Sequence, residues 1–130
     1  LRLQAMSALS PYARDVVVTG HDRDELGLLI YPAEATQQVS AAELRTYIAA
    51  GLQKMRDTNG AGSSKRPVRA LVLDCQPSLE RGEITDKGYI NQRIALSMHE
   101  HEVDKLYNAT QSSENIVVLE TELRKGAVTS

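Results

Sequence analysis

The chain of 130 residues has no tryptophan, no phenylalanine and one cysteine. Without large aromatic anchors, the core has to be assembled from Leu, Ile, Val, Ala and Met, with five tyrosines at its margins. One cysteine, Cys75, excludes an internal disulfide, so the composition fits a reducing, cytoplasmic setting. No apolar run approaches membrane-spanning length, and no signal peptide opens the chain. Basic excess is missing too. With Lys+Arg 15 against Asp+Glu 17, the formal charge is -2, which argues against a dedicated nucleic-acid binder, because phosphate neutralisation needs clustered Lys and Arg. The one local basic cluster is Lys65-Arg66 with Arg69.

What is present suits a single soluble domain. Hydrophobic residues make up 42% and charged residues 25%, ordinary values for a folded chain that buries one modest core. The chain begins at Leu1 and not at Met, which leads us to expect a piece of a longer protein.

The residue pattern predicts a short helix over Leu1 to Leu9, with Leu3, Met6 and Leu9 on one side and Ser10-Pro11 as its stop. Asp15 to Thr19 and Leu26 to Tyr31 read as strands joined in a hairpin by the charged turn Gly20 to Glu25. Ser40 and Glu43 form a capping box that opens a helix with Leu44, Ile48 and Leu52 facing the core and an end near Asp57. Val68 to Leu73 reads as a third strand. Ile90, Ile94, Met98, Val103, Leu106 and Tyr107 predict one last helix. The apolar run Ile116 to Leu119, within a polar tail 108–130, reads as an added strand. The expectation is an α+β domain: a small, mostly antiparallel sheet of about three strands flanked by about three helices.

Several groupings with chemical potential have bland explanations. Gly60-Ala61-Gly62-Ser63-Ser64-Lys65 is glycine-rich like a phosphate loop, but a helix precedes it, a strand follows it, and Arg66 replaces the magnesium-binding hydroxyl. It reads as a connector. His99 and His101 are two apart on a predicted helix and so face nearly opposite ways. No metal site is expected, and the run His99-Glu100-His101-Glu102 reads as a solvated face. Cys75 reads as a small buried residue at a strand end. His21 and Asp22 have no nucleophile beside them, and a hairpin turn accounts for them.

The loop Gly82-Glu83-Ile84-Thr85-Asp86-Lys87-Gly88-Tyr89-Ile90-Asn91-Gln92-Arg93 is different, because a lysine beside a glycine can meet a phosphate or carboxylate at close range. This stretch resembles the C-terminal signature of AMP-forming acid–CoA ligases, most closely the feruloyl-CoA synthetase-like branch. Pro11 to Gly27 is similar to the first strand and loop of that C-terminal lid. Ser40 to Leu52 resembles its capped helix, and Val68 to Asp74 the strand that leads to the lysine loop. The likeness runs from Leu1 to Tyr107 and leaves the tail uncovered.

The resemblance implies that residues 1–107 are the swinging lid of a larger ligase. That ligase would convert a carboxylic acid, such as ferulate or a fatty acid, to an acyl-adenylate and then to its CoA thioester. ATP, magnesium and the acid would be held mainly by an N-terminal adenylation domain, with CoA arriving for the second step. Lys87 would be the adenylation lysine, Thr85 and Gly88 would shape its loop, and Gly20, His21 and Asp24 would lie on the CoA side. In most of that superfamily the lysine follows the glycine, where this chain has Tyr89. In an extended segment Lys87 and Tyr89 would point the same way, so Lys87 could still serve. The isolated domain is expected to fold without activity. The rival reading is a non-catalytic α+β interaction module.

Overall fold

The structure, a computed structural model, describes residues 2–20, 25–59 and 67–119. It begins with helix α1 (Arg2–Leu9), strand β1 (Ala13–Thr19) and strand β2 (Leu26–Pro32). Helix α2 (Ala41–Asn59) and strand β3 (Pro67–Val72) follow, and then helix α3 (Gln92–Met98), helix α4 (Glu100–Asn108) and strand β4 (Ile116–Val118). A short 3-10 turn, Glu34–Gln38, precedes α2.

The four strands form one sheet in the order β1-β2-β3-β4. β1 pairs antiparallel with β2, from Ala13 opposite Pro32 to Thr19 opposite Gly27. β3 and β4 are also antiparallel, with Ala70 opposite Val117. β2 and β3 are parallel, and α2 supplies the long crossover that such a pairing requires. The mostly antiparallel α+β expectation is met. The added strand takes its place at the sheet edge, where the backbone of Leu119 donates to Val68 O at 2.8 Å.

Helices cover both faces, which explains why the strands read as continuous apolar runs and not as alternating ones. Val16, Val18, Leu28 and Ile30 face α1 and α2, where they pack with Leu9, Ile48, Leu52 and Met55. The alternate residues Val17, Leu29 and Tyr31 face the other way and pack with Leu71, Ala95 and Leu106. Ser40 caps α2 as expected, its Oγ accepting the Glu43 N–H at 3.1 Å. The helix runs on to Asn59, past the expected end.

The predicted last helix is two helices. α3 opens at Asn91, whose side chain accepts the Ile94 N–H, and closes at His99, which stands at φ -109 and ψ 29. Ile90 lies ahead of it in an isolated bridge with Ile84. Apolar periodicity continues across His99, so the break had no signature in the hydrophobic pattern. Among the described residues no helix is long and apolar enough to cross a membrane.

Leu52 is fully buried between α2 and the sheet, whereas Leu3 is 75% exposed. Leu52→Ala should lower stability in urea unfolding by roughly 2–5 kcal/mol, and Leu3→Ala by less than about 0.5 kcal/mol. Equal costs at the two positions would contradict this assignment of the core.

Candidate functional site

The lysine loop is a tight hairpin. Thr85 and Tyr89 face each other, with the Thr85 N–H donating to Tyr89 O at 2.8 Å and the Gly88 N–H to Thr85 O at 2.9 Å. Gly88 has φ 88, the left-handed position that closes a three-residue hairpin loop. The Thr85 Oγ1 accepts the Tyr89 N–H at 3.1 Å. Thr85 and Gly88 therefore shape the turn, and Lys87 is exposed at its tip. The extended segment expected to align Lys87 with Tyr89 is not formed, because Gly88 reverses the chain between them. Tyr89 is 66% exposed.

The base of this hairpin is held from below. Glu83 is 1% exposed, and both of its carboxylate oxygens are engaged. The Oε1 accepts the Ser78 N–H at 2.9 Å. The Oε2 accepts from the Tyr31 hydroxyl and lies 2.7 Å from His99 Nε2, which must donate to an ionised carboxylate. Burial alone would push the Glu83 carboxyl up, but the bonds from Tyr31, Ser78 and His99, with attraction from His99, hold it below its usual range. Burial, and then the bond to Glu83 and its charge, push the Tyr31 phenol far up. His99 is thus buried and bonded, not part of a solvated face; His101 is exposed.

A second group of side chains organises the other end of the hairpin β1–β2. The Tyr107 hydroxyl lies 2.9 Å from Thr19 Oγ1 and donates to Glu25 O at 2.9 Å. Arg69 donates to Leu106 O at 2.8 Å and to Glu25 Oε1 at 2.9 Å, with its guanidinium 5.4 Å from the Tyr107 ring centre. Gly20 has φ +92, and a Cβ there would sit 2.2 Å from the Tyr107 hydroxyl and 2.3 Å from Glu25 O. Its glycine serves local packing before any approach to a ligand. His21 and Asp24, like Asp22, Lys65 and Arg66, lie outside the described residues.

These two groups attach to β2 at Tyr31 and beside Gly27, four residues apart, so roughly 13 Å of strand separates them. The lysine loop, which lies between β3 and α3, is thus fastened near one end of β2, and Gly20 and Glu25 lie at the other end. Cys75 is exposed, because the chain turns outward after Leu73 and the strand-end burial expected of it stops there. Partial burial, with Glu83, Asp74 and Glu102 nearby, pushes its thiol up, and a protonated thiol is a poor nucleophile. Among the described residues no three His, Cys, Asp or Glu side chains are grouped to hold a metal ion.

The sequence reading missed Glu83, Tyr31, Arg69 and Tyr107 as site-shaping residues. Tyr107 was visible as a member of a helical stripe. For Glu83 there was no signal, because a glutamate after a glycine reads as a solvated turn.

Residues 3–111 match the model of the AMP-binding enzyme C-terminal domain. No curated protein matches the chain. Among solved structures, the A-PCP didomain of carboxylic acid reductase from Segniliparus rugosus, in complex with AMP, is similar with TM-score 0.62 and 20% identity, over 82% of this chain and 16% of that one. The adenylation domain of the carboxylate reductase GR01_22995 from Mycobacterium chelonae is similar with TM-score 0.64 and 20% identity, over 81% of this chain and 17% of that one. The chain thus spans about one-sixth of these relatives, and at such identity the likeness is one of fold.

Two stability measurements check the geometry. The Glu83 carboxyl is held below its ordinary value of 4.5, so its contribution is present at neutral pH and is lost as pH falls through that value toward the lower folded one. The stability advantage of the native chain over Glu83→Gln should therefore shrink on acidification from pH 6; an advantage that grows would mean burial outweighs the bonds. Gly88→Ala, where a Cβ meets nothing within 4 Å, should cost only the strain of its φ, about 1–2 kcal/mol. Gly20→Ala should cost more, and equal losses would contradict the packing described around Gly20.

Proposed function

This chain belongs to the AMP-binding enzyme C-terminal domain family, and on that premise we propose that it is the lid of an adenylate-forming acid–CoA ligase. In this reading a larger N-terminal domain holds ATP, magnesium and a carboxylic acid, and residues 1–107 close over them. The observation that carries the proposal is Lys87, exposed at the tip of a hairpin whose base is fixed by a buried carboxylate.

Lys87 brings a compact cation to the junction of carboxylate and α-phosphate. Attack of the carboxylate oxygen on that phosphorus gathers negative charge, and expulsion of pyrophosphate disperses it. A pre-positioned ammonium stabilises that charge without reorganisation during the reaction. Closure also excludes water from the mixed anhydride. After pyrophosphate departs, rotation of the domain would replace the lysine loop with the Gly20 loop, where Gly20, His21 and Asp24 would line the approach of CoA. Attachment of the lysine loop near one end of β2, with Gly20 and Glu25 at the other end, supports such an exchange. The order Lys87-Gly88 favours the feruloyl-CoA synthetase-like branch, and with it a hydroxycinnamate such as ferulate as substrate.

The test uses the full-length enzyme with its half-reactions separated. Lys87→Ala should slow acid-dependent pyrophosphate release by about 100-fold or more, while transfer of a supplied acyl-adenylate to CoA survives. Tyr89→Phe should be mild, since a phenol supplies no cation at neutral pH. Wild-type adenylation by Lys87→Ala would leave a shared fold and remove the assigned role.

A further inference from the structure

We infer that Glu83, with Tyr31 and His99, is a positioning network that aims Lys87 for the adenylate-forming step alone; the inference rests on the lid reading above.

The segment from Asp74 to Asn91 lies between β3 and α3 and contains no helix and no named strand. Within it Glu83 is the only buried residue. Of its large apolar side chains, Leu79 is 60% exposed and Tyr89 66% exposed, and Ile90, partly buried, packs against the core. A segment with so little apolar burial opens easily unless something else fixes it. Gln76 ties the start of the segment to Pro32 O at 2.8 Å, and beneath the hairpin itself the one fully buried attachment is the Glu83 carboxylate.

The attachment is made from three directions. Tyr31 reaches it from the end of β2, His99 from the junction of α3 and α4, and the Ser78 N–H from the start of the loop itself. On the backbone side, Glu83 O accepts the Asn91 N–H at 2.9 Å. The hairpin is therefore pinned at its first pair, four residues before Lys87. An apolar side chain in its place would leave the buried Tyr31 hydroxyl and His99 ring without that partner, at a cost in stability. What the carboxylate adds is direction, because it fixes the loop by three bonds of defined geometry. The helix break at His99 belongs to the same device: its φ of -109 and ψ of 29 depart from the helix, and its ring is placed on the carboxylate. The Gly20 end depends on a different set: Thr19, Glu25, Arg69 and Tyr107. Loosening Glu83 should disturb one loop and spare the other.

The experiment is a double-mutant cycle in the full-length enzyme, read separately for pyrophosphate release and for transfer of a supplied acyl-adenylate to CoA. Glu83→Gln should slow pyrophosphate release by about 10- to 100-fold, the scale of a small misplacement of a reacting group. Transfer should stay within about twofold of wild type. Once Lys87 is alanine there is nothing left to aim, so Glu83→Gln should add little to Lys87→Ala. Tyr31→Phe keeps the packed ring and removes one bond to Glu83; it should show a smaller loss confined to the same step, and it carries the test if Glu83→Gln fails to fold. Equal losses in both half-reactions, or costs that multiply in the double variant, would make the network merely structural and overturn the inference. Wild-type adenylation by both network variants, beside a crippled Lys87→Ala, would overturn it while the lid reading stands. Wild-type adenylation by Lys87→Ala would remove both.

Discussion

The Glu83 carboxylate is the constraint on which the lysine loop depends. It is a buried acidic group, and such a group stays ionised only where its bonds outweigh the loss of water. Here they do, and the same bonds fasten the loop to β2 and to the helix junction. The break between α3 and α4 is at the same place, His99. A straight helix through His99 would continue the apolar stripe, whereas the broken one brings an imidazole to the carboxylate.

The rest of the domain supplies a frame stiff enough for that fastening to matter. The β1–β2 hairpin is covered on both faces, by α1 and α2 on one side and by α3 and α4 on the other. Near its two ends lie the two regions of interest, each secured by a tyrosine hydroxyl. Tyr31 bonds to Glu83 at the base of the lysine loop, and Tyr107 bonds to Thr19 and Glu25. With no Phe or Trp in the chain, tyrosines provide both the bulk at the sheet ends and the polar contact that orders the loops.

The fold was largely legible because local signals and burial agree. The β-branched run of β1, the Ser40 cap and the Leu44/Ile48/Leu52 stripe each stand where the residues placed them, and even the short Ile116-Val117-Val118 run joins the sheet. Lys87 with Thr85 and Gly88 was visible because a lysine–glycine turn has a local pattern. The network beneath it was not legible. Tyr31 and Glu83 are 52 residues apart in sequence, and their meeting is decided by how β2 passes under the loop. Gly20 was placed on the CoA side by resemblance, but its close neighbours Tyr107 and Glu25 were not legible, because those contacts arise only once α4 packs on the sheet. Cys75 and His99 were misplaced for a related reason. Residue type and helical phase assign a side, but the bend just beyond β3 and the helix break at His99 change which residues face solvent.

The claim that one buried carboxylate holds the lysine loop is tested most directly by amide hydrogen exchange. The amides of Thr85, Gly88 and Asn91 report the hairpin, and those of Leu28 to Ile30, in a strand paired on both sides, report the sheet. In Glu83→Gln the account predicts faster exchange at the first set and unchanged protection at the second. Unchanged protection throughout, or equal loss at both sets, would contradict it.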